Sequence, residues 1–119
     1  MTDGIDRSAW VSYLTQFTKR NLSRPTQLEV FGENGAQKEE QGLLFSGISV
    51  DESGGKPNIE LMFDNREPGP SSHLTHLIMD VREVTPKRAF DGRDEALAIV
   101  DANGETSLLR FEPQVLLWK

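Results

Sequence analysis

The chain has 119 residues, 36% of them hydrophobic, which is enough for one domain with a modest core. Thirteen Lys and Arg stand against 19 Asp and Glu, a net charge of −6, and a field of that sign repels polyanions, so general nucleic-acid binding is not expected. The absence of Cys removes disulfide scaffolds, thiol nucleophiles, iron–sulfur clusters and cysteine zinc sites.

Residues 1–7 are polar and read as a flexible start. They carry acids where a signal peptide would carry Lys or Arg, no apolar stretch follows, and no run is long enough to cross a bilayer. The expectation is a cytoplasmic protein without a membrane partner. From Ser8 to Leu22 the period is helical: Trp10, Leu14, Phe17 and Asn21 recur on one face with Tyr13 beside them. Asp6 or Ser8 is the expected N-cap, Lys19 and Arg20 suit the negative end of the helix dipole, and Pro25 cannot continue the helix.

Beyond Pro25 the period changes to two. Leu28 and Val30 alternate with Gln27 and Glu29, and Glu33-Asn34-Gly35 is an Asn-Gly hairpin signal. The next strand, over 37–50, breaks parity: Leu43 and Phe45 are odd, Ile48 and Val50 even. A bulge at Gly42 or Gly47 would reset the register and turn the strand around a corner. Ile59, Leu61 and Phe63 form a half-buried strand, 65–72 is a breaker-rich loop, and one strand is expected over 73–84 with loop chemistry over 85–94. A last hairpin turns at Ala102-Asn103-Gly104, with Leu97 and Ile99 leading in and Phe111 returning. Residues 113–119 are an apolar tail. The fold class is therefore α+β, mostly β, in a single domain over 1–119. An N-terminal amphipathic helix (8–22) packs on an antiparallel meander (26–112), a strongly bent sheet or small barrel of about six strands. The expected core is Trp10, Leu14, Phe17, Leu28, Val30, Ile59, Leu61, Phe63, Leu97, Ile99 and Phe111.

The series Trp10…Phe17, Leu28-Glu29-Val30, Gly47-Ile48-Ser49, His73-Leu74-Thr75-His76, Asp94-Glu95-Ala96-Leu97 and Leu108-Leu109-Arg110-Phe111 resembles a bacterial family of small stand-alone proteins catalogued as a domain of unknown function. The resemblance implies a one-domain bacterial cytosolic protein and supplies no activity.

Two constellations carry candidate chemistry. Arg20 and Arg24, followed by Asp51, Ser53 and Gly55, resemble the bipartite motif of PilZ domains, six-stranded barrels that bind cyclic di-GMP. That resemblance implies two arginines holding phosphates and guanine faces, completed by the Asp51 turn, although Lys56 stands where the motif ends in Gly. His73 and His76, with Asp64 and Asp80 in reach, are the candidates for a metal-dependent enzyme, but i and i+3 on a strand point to opposite faces. The acid pairs Glu39-Glu40, Asp51-Glu52 and Asp94-Glu95 read as solvated surface, and Arg82 and Arg110 as structural ion pairs with Asp80 or Glu83 and with Glu112. Val115, Leu116, Leu117 and Trp118 need cover, from the domain's own helix or from a second copy. The expected function is a non-catalytic binding or interaction module without a cofactor, its partner an unknown protein or a second copy of itself.

Overall fold

The computed structural model describes residues 4–32, 35–65 and 73–113, the side chains of 36–40 excepted. A single 3-10 turn, Arg7–Ala9, leads into α1 (Trp10–Asn21). Asp6 stands at the cap of that turn but makes no side-chain cap bond, and the α-helix proper begins after Ala9, not at Ser8. Seven strands follow: β1 (Pro25–Gly32), β2 (Gly35–Asp51), β3 (Asn58–Asp64), β4 (His73–Ile78), β5 (Val81–Arg88), β6 (Asp94–Asp101) and β7 (Thr106–Phe111). They form one antiparallel sheet in the order β4-β3-β2-β1-β7-β6-β5.

The expected strand over 73–84 is two strands, separated at Met79 and Asp80. Asp80 takes a left-handed backbone (φ 52), and its N–H donates to Asn58 Oδ1 at 3.0 Å. That corner breaks the strand without any glycine, so the local sequence does not mark it. β5 then runs to Arg88, into the first part of the segment expected to be loop (85–94), and includes Pro86. Proline is tolerated there because β5 is an edge strand and has no ladder partner on its outer side.

β4 and β5 are the two edges of the sheet and do not pair, so the sheet is not closed into a barrel. Only two residues join them, however, so the edges meet at one corner. Curling is strong enough that His76 on β4 reaches Ser107 on β7 at 3.3 Å across the inner face. The Ile5 N–H donates to the Val84 carbonyl at 2.8 Å, placing the N-terminal segment along the β5 edge.

Bulges in β2 produce the curl. Gly42 (φ 80) is the extra residue between Thr26↔Leu43 and Gln27↔Gln41, and Ser46 is the extra residue between Phe45↔Phe63 and Gly47↔Met62. The second bulge resets parity, so that Leu43, Phe45 and Ile48 all face inward. Helix α1 lies in the resulting hollow. Every residue expected in the core is buried, joined by Phe45, Leu43, Ile48, Ile78, Val81, Val84 and Leu109. Phe17 is the centre of an aromatic cluster, with Phe45 and Phe111 rings each 5.7 Å from its own.

Candidate functional site

At the C-terminal end of α1, where the helix meets the β5–β6 loop and the end of β7, lies a cleft of about 790 Å³. Arg20, Ser23, Arg24, Arg93, Asp94 and Glu112 supply its polar lining, and Pro25 and Pro113 are among its apolar walls. A smaller hollow of about 270 Å³ lies over Ala96, Ala98 and Leu108, and Lys87 and Glu95 on its wall pair with each other at 3.8 Å.

Asp94 organises the cleft. Its parity in the sequence matches Ala96 and Ala98, which should turn it away from the helix. The ladder slips between Lys87↔Ala96 and Arg88↔Asp94, leaving Glu95 as an extra residue. That bulge swings Asp94 inward, where it is only 5% exposed. Arg20 donates to it as a fork, Nε to Oδ2 at 2.9 Å and Nη2 to Oδ1 at 3.2 Å. Asn21 Nδ2 donates to the same Oδ2 at 2.8 Å, and Arg88 Nε stands 4.0 Å from Oδ1. Burial by itself pushes the Asp94 carboxyl up. The hydrogen bonds from Arg20 and Asn21, with the charges of Arg20 and Arg88, outweigh it and hold the group below the ordinary carboxylate range.

Asn21 closes the network. It is 2% exposed on the apolar stripe of α1, and its Nδ2 also donates to the Phe17 carbonyl at 2.8 Å. Its Oδ1 accepts from Arg24 Nη1 at 2.8 Å, and the same Nη1 donates to the Asp94 carbonyl at 2.8 Å. Arg24 lies on the Phe111 ring, 4.2 Å from its centroid. Burial first, then the positive charge of Arg93, presses the Arg24 guanidinium below its ordinary value against the pull of Asp94. Arg20 is held above its ordinary value, chiefly by the hydrogen bond to Asp94.

The backbone here is held in a costly conformation. Ser23 has φ 68, a left-handed value that a serine adopts only under constraint. The constraint is visible: Ser23 N–H donates to the Phe45 carbonyl at 2.8 Å, and Phe45 N–H donates to the Arg24 carbonyl at 2.9 Å. These bonds fasten the segment after α1 to β2 and fix Arg24 at the cleft wall.

The two halves of the PilZ-like pattern lie apart. Arg20 and Arg24 share the cleft. Arg24 is bonded to Phe45, whereas Asp51 is six residues further along β2, roughly 20 Å away at strand rise. The Asp51 turn lies at the other end of α1, where Glu52 meets Arg7 at 3.7 Å. Asp51 Oδ1 accepts from the Ser53 N–H at 2.9 Å, and Gly55 (φ 80) is exposed in the same turn.

The histidines point to opposite faces of β4. His73 lies opposite Asp64 in the ladder, with Nδ1 and Oδ1 2.6 Å apart, while His76 lies opposite the buried Leu61 and reaches Ser107. Asp80 is at the far end of β4 and meets Arg82 at 3.4 Å. Among the described residues no group of three or more His, Asp or Glu is placed to hold a metal ion. Arg110 pairs with Glu29 at 3.5 Å rather than with the expected Glu112, because antiparallel pairing puts β1 beside it. The tail residues Val115, Leu116, Leu117 and Trp118 lie outside the described residues, as do the side chains of Glu39 and Glu40. No helix among the described residues is long and apolar enough to cross a membrane.

The sequence pattern singles out Arg20 and Arg24, whereas Asp94 reads as solvated surface and Arg93 carries no signal. A signal for the network was present in Asn21: an amide on an otherwise apolar helical stripe must find a buried partner.

Residues 1–117 match the model of a family of unknown function (DUF5335). The chain belongs to that family. Comparison with curated proteins and with solved structures finds no match. For this member of DUF5335, the arginine-lined cleft is the candidate site.

Proposed function

We propose that the chain is a non-catalytic binding module and that its site is the cleft at the C-terminal end of α1. The observation behind this reading is the placement of Arg20, Arg24 and Arg93 around one hollow in a protein of net charge −6. Its volume falls within the range of small-molecule sites, roughly 300–1,000 Å³. A network of fixed donors, rather than mobile surface side chains, forms its floor. Asp94 has a structural task there. Held ionised by Arg20 and Asn21, it is poorly matched to proton transfer near neutral pH, which favours binding over acid–base catalysis.

A cyclic-dinucleotide receptor of the PilZ type would need the Asp51 turn beside the arginines, and the roughly 20 Å between them speaks against it. A thermal-shift screen of small metabolites, cyclic di-GMP included, tests the reading. Compounds that stabilise the protein should fail to stabilise Arg24→Lys, which keeps the charge but loses the fork. Stabilisation unaffected by Arg24→Lys and by Arg93→Gln would place binding elsewhere and overturn the proposal.

A further inference from the structure

The donors of the cleft are unequally engaged. Arg20 uses its Nε and Nη2 on Asp94. Arg24 uses only Nη1, and among the described residues its Nε and Nη2 have no hydrogen-bond partner. Those two N–H groups form the edge of a guanidinium that grips two oxygens side by side. The Arg24 ring contact with Phe111 holds the plane in place, so little rotamer freedom remains to be lost on binding. Arg93 lines the same cleft and its positive charge acts on Arg24, while its own Nε donates to Asp91 Oδ2 at 3.0 Å. Ser23, locked in its left-handed conformation, adds an exposed hydroxyl at the rim.

A carboxylate needs one fork. Two guanidinium groups lining one hollow, with the Ser23 hydroxyl beside them, instead suit a tetrahedral oxyanion with several outward oxygens. The cleft is also much larger than a bare anion, and Pro25 and Pro113 give it apolar wall. Building on the binding reading above, we infer that the cleft takes a phosphorylated small molecule, its phosphate on the Nε/Nη2 edge of Arg24 and its organic part against Pro25 and Pro113.

Titration of the full chain with inorganic phosphate, AMP and adenosine, followed by backbone amide NMR, tests this. Phosphate and AMP should shift Ser23, Arg24 and Arg93 saturably, AMP more tightly than phosphate, and adenosine should not. Arg24→Lys should weaken AMP binding at least about tenfold while its spectrum stays that of the folded protein. Acetate competing as well as phosphate would overturn the assignment of class. If none of the phosphate probes binds but a neutral screen compound does so at the cleft, this inference fails and the binding reading stands. If nothing binds at the cleft, both fail.

Discussion

Asp94 and Arg20, 74 residues apart in sequence, meet as a two-bond fork with the carboxylate side chain 4% exposed and the guanidinium side chain 41% exposed. One end of the pair is therefore inside the fold and the other at the surface. The pair ties the last turn of α1 to the first residue of β6, both of which line the cleft.

Asp94→Asn removes the charge and turns one of the two accepting oxygens into a donor that faces Arg20 or Asn21. Asp94→Asn should lower unfolding free energy by about 2–3 kcal/mol, below the range for fully buried pairs because Arg20 can turn to water. Urea denaturation of both proteins measures this. A loss under about 0.5 kcal/mol would mean that Asn21 and Arg20 find equal partners elsewhere.

The same carboxylate makes stability depend on pH. Its folded pKa lies below the unfolded value, so the contribution is complete above the ordinary value of 3.8 and is lost as pH falls through the lower folded value. Asp51 and Asp91 are also held low, each first by a backbone N–H bond, from Ser53 and Arg93 respectively, so acid sensitivity is not unique to Asp94. The difference between wild type and Asp94→Asn isolates it. That difference should be constant from neutral pH to about pH 5 and should shrink towards pH 3. A difference that grows on acidification contradicts the assigned direction.

The aromatic centre should be sensitive to truncation. Phe17→Ala and Phe63→Ala should each cost about 3–5 kcal/mol, since both rings are almost wholly buried and Phe17 touches both Phe45 and Phe111. Denaturant midpoints measure the loss, and less than about 1 kcal/mol at both sites would refute the packing.

The β2 bulges give a contrast between two glycines. A Cβ at Gly42 meets nothing within 4 Å, but its φ of 80 is unfavourable for any side chain, so Gly42→Ala should cost about 1–2 kcal/mol from backbone strain alone. At Gly47 a Cβ would lie 3.4 Å from Met62 Cε and 3.6 Å from Thr18 Cγ2, contacts that a flexible methionine can absorb. Gly47→Ala should be the milder change. The reverse order in thermal melts would show that the Gly42 bulge is not what bends β2.

Periodicity made the helix and most strands legible, because each has one buried face: Trp10, Leu14 and Phe17 in α1, and Ile59, Leu61 and Phe63 in β3, are all buried. The parity break in β2 foretold the bulge that resets it, which lies at Ser46, one residue before the expected Gly47. The Asp80 corner was not legible, since its left-handed turn is held by Asn58 from a different strand. Nor was Asp94. Its inward direction comes from an extra residue opposite Lys87 and Arg88, a property of the pairing that the local pattern does not contain. Arg20 and Arg24 stood out as cations, but their orientation depends on Asp94, Asn21 and Phe111 together.

The cleft is the place where this protein is proposed to meet its ligand. Amide NMR of the full chain, with and without the compound that stabilises it most in the thermal-shift screen, tests that directly. The largest shifts should cluster at Asn21, Ser23, Arg24, Gly92, Arg93 and Asp94. Largest shifts along β4 from Leu74 to Ile78, or at the Asp51 turn, would contradict it.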